Sequence, residues 1–163
     1  MIGIVGVAAM KKKKICFAAS SGGHYEQLMM LRPLMDKYDS FVVTEKTFYD
    51  IAASGEKLYY MHQVNRKEKT FPLWMLLNAF KALNIMFRER PNVIITTGVL
   101  AMIPLCLLVK LFGGKLIYIE SFAKVTSATE TGKLMYKLAD QFYVQWEPMK
   151  QIYPEALFLG GIY

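Results

Sequence analysis

The stretch from Ile15 to Leu28, ICFAASSGGHYEQL, changes hydrophobic period halfway along, and its unusual residues sit at the change. A short apolar run ends at Ser20. Beyond His24 the apolar positions Leu28, Leu31 and Met35 recur at helical spacing, so the stretch reads as strand, tight glycine loop and helix. Such a loop presents backbone N–H groups and the positive end of a helix dipole to the space above a sheet, which suits a phosphate or diphosphate. His24 falls in the first helical turn, beside that space. Taken alone, Gly22 and Gly23 also fit a plain sharp turn, with glycine for positive φ and serine as N-cap.

The remaining chain alternates in the same way. β-Branched and aromatic runs at Ser40 to Thr44, Lys57 to Met61, Asn92 to Thr97, Lys115 to Ile119, Gln141 to Gln145 and Ala156 to Leu159 read as further strands. Between them, Phe48 to Ala53 reads as a short helix closed at Gly55, and His62 to Thr70 as a polar, basic loop. Pro72 then opens a helix running to about Arg88. The uncharged run Val99 to Val109, with Pro104 inside, fits a buried helix better than a membrane span, which needs about 20 residues. A hydroxyl-rich loop follows from Ser121 to Thr131, then a helix near Lys133 to Ala139. Strands alternating with helices imply an α/β fold with a mostly parallel sheet covered on both faces.

The helix after Pro72 is apolar around most of its circumference, and Asn78, Lys81, Asn84 and Arg88 form only a narrow polar stripe. Arg66, Lys67, Lys69, Lys81, Arg88 and Arg90 outnumber Glu68 and Glu89 in this region. An apolar, basic surface of this sort lies on anionic lipid, with Trp74, Leu77, Lys81 and Arg88 as the expected contacts. A helix wedged between the sheet and a partner accounts for the same pattern, and the two are compatible.

A length of 163 residues with 54% hydrophobic content supplies one sizeable core and excludes a disordered chain. The net charge of +7 calls for an acidic partner, and no Arg-rich or aromatic RNA-binding signature selects nucleic acid. Cys16 and Cys106 lie in apolar runs, as reduced thiols of a cytoplasmic protein do, and neither has metal-ligand spacing. Neither metal nor cofactor is expected. Met1 to Met10 are apolar and precede Lys11 to Lys14, the reverse of a secretory signal. They read as a surface anchor, a flexible tail, or an extension upstream of the usual start at Met10, the last being preferred. Residues 1–13 are thus an extension and 14–163 a single domain.

In open α/β sheets, ligands bind beyond the carboxyl ends of the strands, where strand order reverses. Ser20 to His24, Thr96 to Gly98 and Glu120-Ser121 all fall on such ends and are expected to converge on one polar pocket. There His24 or Glu120 serves as general base toward a hydroxyl, unless His24 only caps a helix and Glu120 only pairs with a lysine. The loop lacks the third glycine of the dinucleotide pattern, no Walker lysine follows it, and no acid closes the second strand at the expected distance, although Glu45 is near. A complete nucleotide site is not visible.

Ala19 to Leu28, Ile94 to Gly98, and above all Tyr118 to Ser127 with Gly132 to Trp146 resemble a known family. It comprises the acceptor-side, membrane-docking subunits of split GT-B glycosyltransferases. These are the bacterial PssD-type capsule and exopolysaccharide proteins and the eukaryotic subunit that helps add the second N-acetylglucosamine to dolichol diphosphate. The resemblance implies the Rossmann-like N-terminal half of a GT-B enzyme, with a separate PssE-type subunit holding the UDP-sugar. Together they would glycosylate a polyprenyl-diphosphate-linked saccharide at the cytoplasmic membrane face. By position, Ser20, Ser21, Gly22, Gly23, Thr96, Thr97, Gly98 and Ser121 would line the acceptor and diphosphate cleft, with His24 and Glu120 as catalytic candidates. Lys124 stands where the family usually has Arg, which keeps the charge and loses bidentate phosphate geometry. A scaffold that leaves all chemistry to its partner is the alternative. The apolar end from Phe158 to Tyr163 implies a partner in either case.

Overall fold

The computed structural model describes residues 13–47, 57–98 and 100–163. The extension Met1 to Met10 and the short helix expected at Phe48 to Ala53 lie outside the described residues. Seven strands form one parallel sheet: β1 (Lys14–Ala18), β2 (Asp39–Glu45), β3 (Lys57–Met61), β4 (Val93–Thr96), β5 (Lys115–Ile119), β6 (Gln141–Val144) and β7 (Leu157–Phe158). Their order across the sheet is β3-β2-β1-β4-β5-β6-β7. The chain therefore works outward from β1 to β3, returns to β4 on the other side of β1, and works outward again. Strand order reverses between β1 and β4, so the crevice beyond their carboxyl ends is where a ligand is expected.

Burial on both faces explains the near-continuous apolar runs of the central strands. Alternate residues Cys16, Ala18, Phe41, Val43, Ile94 and Leu116 pack on one side. That side carries α3 (Phe71–Glu89), α4 (Ile103–Leu111) and α5 (Glu130–Leu138). Ile15, Phe17, Val42, Ile95 and Ile119 pack on the other, against Leu28 of α1 (Gly23–Met29) and Met35 of α2 (Arg32–Met35). The single helix expected after His24 is thus two short ones, with Pro33 in the first turn of the second. The Val99 to Val109 run is a helix as expected, entered through a 3-10 turn at Leu100–Met102.

Helix α3 overturns its simple amphipathic reading. Asn78, assigned to the polar stripe, is fully buried: its Oδ1 accepts from the His62 backbone N–H at 2.8 Å and its Nδ2 donates to the His62 carbonyl at 2.9 Å. Lys81 bonds the Tyr60 carbonyl at 3.1 Å, and the Trp74 indole packs at a tilt against the His62 ring, with centroids 4.8 Å apart. Asn78, Lys81 and Trp74 therefore hold α3 to the end of β3, while Asn84 and Arg88 of the stripe are exposed. Leu73, Leu76, Leu77, Phe80 and Phe87 point outward instead, and Leu107, Leu111 and Phe112 of the α4 end extend the same exposed apolar surface. Burying a side chain of this size is worth about 1.5–3 kcal/mol, so this face forgoes much stabilisation while uncovered.

Glu89, at the last turn of α3, ties the amino ends of β1 and β3 together. Its buried carboxylate takes Lys14 at 2.9 Å and is bonded also by Lys57 and Tyr59. Burial opposes its ionisation, but these three donors together bring its pKa down from 4.5 to about 2. The folded-state value lies below the unfolded one, so the stabilisation is complete above pH 4.5 and is lost as pH falls toward 2. Screening through the half-exposed Lys57 leaves about 2 kcal/mol. Glu89→Gln should lower stability by about that amount at pH 7 in urea melts, with the gap to wild type closing between pH 4.5 and 2.

Candidate functional site

The loops beyond β1, β4 and β5 meet at the carboxyl edge of the sheet. Gly22 closes β1's loop with φ 73° and begins α1, and its carbonyl accepts from the Tyr25 and Glu26 amides at 2.9 and 3.1 Å. His24 follows in the first turn, half-buried. Thr97, fully buried, donates its hydroxyl to the His24 carbonyl at 2.9 Å, and Thr96 accepts from the Gly98 amide at 3.3 Å. Both threonine hydroxyls, expected to touch ligand, are occupied within the protein: Thr97 joins the β4 loop to α1, and Thr96 closes the β4 loop on itself. Ser20 likewise bonds the Ser21 carbonyl at 3.2 Å.

Gly98 has φ +108°, and a Cβ there would stand 3.0 Å from the Tyr118 hydroxyl and 3.7 Å from His24 Cε1. The Tyr118 hydroxyl and the His24 ring thus both come close to the Gly98 backbone, where a side chain would be crowded and strained. His24 Nδ1 is enclosed and makes no hydrogen bond among the described residues. An enclosed, unsatisfied ring nitrogen in a crevice is the kind of exception that marks a functional group.

Glu120 lies deeper than the cleft-facing position expected for it. It is 1% exposed, and its carboxyl accepts from the Ser121 amide at 2.9 Å, the Thr129 hydroxyl at 3.2 Å and the Tyr153 hydroxyl at 3.1 Å. Its backbone carbonyl takes Gln145 Nε2 at 2.9 Å. Burial first, and the charge of Glu120 second, push the Tyr118 and Tyr153 phenols well above the ordinary tyrosine range. Both stay protonated, and Tyr153 donates to Glu120. Thr129 also caps α5 by accepting from the Gly132 amide at 2.7 Å. Ser121 and Lys124 sit on the half-buried first turn of the loop, where the Lys124 amide bonds the Ser121 carbonyl at 2.9 Å.

Glu45, discounted as a nucleotide-binding acid, does close β2, and it is 4% exposed. Its carboxyl accepts from the backbone amides of Val64 and Ser21, while burial pushes its pKa up. One buried group therefore pins the glycine loop to the loop after β3. That second loop bounds an open cavity of about 780 Å³ with Trp74, Leu100 and the start of α5, where Arg66 reaches the Thr131 hydroxyl at 3.4 Å. Sequence reasoning missed these organising roles of Glu45, Asn78, Tyr118 and Tyr153. The available signal was a carboxyl at the carboxyl end of a largely apolar run, at Glu45 and again at Glu120. Gly132 is the sharpest constraint: a Cβ there would lie 1.9 Å from Glu120 Oε2 and 2.7 Å from the Tyr153 hydroxyl. Gly132→Ala should cost about 3 kcal/mol in thermal or urea unfolding, because neither neighbour can retreat within the packed network.

Against known proteins, the family model for "Oligosaccharide biosynthesis protein Alg14 like" matches residues 57–162. The UDP-N-acetylglucosamine transferase subunit ALG14 of Rattus norvegicus is 28% identical over 116 residues, covering 64% of this chain and 54% of that protein. The Mus musculus subunit is 23% identical over 186 residues, covering 96% and 86%. This chain spans about half the length of the rat relative. Among solved structures, Acinetobacter baumannii MurG superposes with TM-score 0.65 at 17% identity, over 81% of this chain and 41% of MurG. A UDP-N-acetylglucosamine 2-epimerase from Rickettsia bellii gives 0.71 at 12%, over 93% and 45%. These likenesses establish the fold, a Rossmann-like α/β half of the GT-B architecture. With the family model covering well over half its length, the chain belongs to the Alg14-like family of oligosaccharide biosynthesis proteins.

Proposed function

We propose that this chain is the acceptor-side subunit of a two-component, UDP-sugar-dependent glycosyltransferase of the PssD type, acting in capsule or exopolysaccharide synthesis. It binds a polyprenyl-diphosphate-linked saccharide at the cytoplasmic membrane face and recruits a PssE-type subunit that holds the donor. The observation that carries this reading is the His24 imidazole, enclosed at Nδ1 and set at the strand-order reversal between β1 and β4. Its relatives being named as transferase subunits agrees with a shared active site.

In this reading the glycine loop from Ser20 to Gly23, with Gly98, Ser121 and Lys124, walls the acceptor side of the crevice. His24 keeps its ring proton on Nδ1 and accepts the acceptor hydroxyl proton at Nε2 as that oxygen bonds to the anomeric carbon. The bond from the anomeric carbon to UDP breaks, and UDP leaves with the bonding pair. Glu120 is the positioning residue: through Thr129 and Tyr153 it fixes the β5 end and the start of α5. The cavity beside Arg66 and Trp74 offers guanidinium, amide and indole groups suited to a sugar ring.

Two apolar surfaces support the membrane and partner roles. The α3 and α4 face, with Leu77 exposed and Arg88 beside it, suits a peripheral contact with anionic lipid. No helix among the described residues is long and apolar enough to cross a membrane. On the opposite side of the sheet, Ile117, Ile119, Tyr143, Leu159 and Ile162 line a mostly apolar groove of about 310 Å³ that suits the donor-binding subunit.

The central test mixes the purified chain, UDP-sugar and lipid-linked acceptor with and without the partner. Turnover should require both chains, and full activity from this chain alone would refute the two-component reading. In the assembled enzyme, His24→Ala should lower kcat by about 100-fold or more with assembly intact, whereas unchanged turnover would favour a scaffold. Replacing Leu76 and Phe80 by Asp should abolish vesicle flotation while leaving the far-UV spectrum and partner binding unchanged.

A further inference from the structure

Beside the end of β3, three basic side chains converge. Lys46, Thr47, His62 and Gln63 line a notch of about 220 Å³, and Lys81 of α3 stands next to it. Burial and the nearby Lys46 ammonium hold Lys81 below the usual lysine range. Burial, with Lys81 and Lys46 nearby, likewise holds the His62 imidazole below the ordinary histidine range. Like charges gathered this way raise the free energy of the folded chain, and an anion between them would remove the penalty. Glu45, the neighbouring carboxyl, is turned to the Val64 and Ser21 amides instead. Among the described residues lining the notch there is no carboxyl group.

The notch is rigidly held. Asn78 grips the backbone of His62 from both sides, at 2.8 and 2.9 Å, and Glu45 grips Val64 two residues later. An ammonium has three donors, and the Tyr60 carbonyl takes one of those on Lys81 at 3.1 Å. Phe80 and Leu77, both exposed, border Lys81 on α3, one and four residues before it. Phe80 and Lys81 line one shallow pocket together, and through Lys81 the basic notch thus neighbours the uncovered apolar stripe. On its other side Gln63 also lines the larger cavity beside Arg66 and Trp74. Lipid surface, cationic notch and polar cavity follow one another in the order lipid, phosphate, sugar.

We propose that Lys46, Lys81 and His62 form the binding site for the diphosphate of a lipid-linked acceptor, with the prenyl chain along α3 and the saccharide beyond Gln63. This rests on the acceptor reading above and assigns the diphosphate to the β2 and β3 ends rather than to the glycine loop. Two compact ammonium groups and an imidazole suit a phosphate chain held as a cluster of point charges. A bulk lipid headgroup offers the same phosphate chemistry, so the experiment separates the two.

The full chain is floated with phosphatidylcholine vesicles carrying undecaprenyl diphosphate, and with vesicles carrying phosphatidylglycerol at the same surface charge. The chain should bind the first about tenfold more tightly, with free inorganic diphosphate competing. Lys46→Gln, at an exposed side chain, and the Lys46→Gln/Lys81→Gln pair should erase that preference while still binding phosphatidylglycerol vesicles through α3. Equal binding of wild type to both vesicles, or a preference that survives both variants, would overturn the assignment. Should that happen while the reconstituted pair of subunits still turns over, the acceptor reading stands and only this site falls.

Discussion

The carboxyl group of Glu120 is the interaction around which the candidate site is built. Set at the end of a central strand and cut off from water, it must find hydrogen-bond donors inside the protein, and it finds them on three separate segments. The Ser121 amide starts the long loop, Thr129 ends it and caps α5, and Tyr153 brings in the turn before β7. Gly132 is required because the helix start comes so close to that carboxyl. A buried polar group fully supplied with donors orders its surroundings, and a partly supplied one costs more than an apolar residue would. The long loop after β5 can therefore hold one shape although few of its residues are apolar.

Glu45 does the same work at the end of β2, with β1 and β4 between the two carboxyls. Its two backbone donors belong to the glycine loop and to the loop after β3, segments that are remote in sequence. With Thr97 bonded to the His24 carbonyl, the loops after β1, β3 and β4 form one connected rim. The imidazole of His24 is thus presented by a frame fixed from several directions, which is the condition for accurate positioning of a reacting group. The rim is polar, and the surfaces flanking it are apolar, on α3 and α4 to one side and on the open face of β5 and β6 to the other.

Helix α3 shows how tertiary demand overrides amphipathic pattern. A sheet-covering helix ordinarily turns apolar residues inward and polar ones to water. Here Asn78 and Lys81 are needed inward to satisfy backbone groups at the end of β3, where the strand has no further neighbour to supply them. Phe80 and Phe87 are left outward as a result. The outward leucines and phenylalanines are therefore a surface in their own right, and Phe87 stacks edge-on with Phe112 across the α3 and α4 ends.

The sequence by itself determined the parallel α/β class and the seven strands seen among the described residues, with Lys57–Met61 and Lys115–Ile119 correct at both ends and the other strands within one or two residues. These follow from hydrophobic period and from proline and glycine chemistry, which act over a few residues and are written locally. It also singled out His24 and the strand ends as candidates, which the sheet brings to one edge, and the resemblance carried by Tyr118 to Trp146 pointed to the family. Only the tertiary structure decided that Thr96, Thr97, Glu45 and Glu120 spend their polar atoms on the frame, that Asn78 faces inward, and that Lys46 and Lys81 come near each other beside His62. A polar side chain looks the same in sequence whether its partner is a ligand or a backbone amide. The choice is made by which distant segment folding brings within about 3 Å of it.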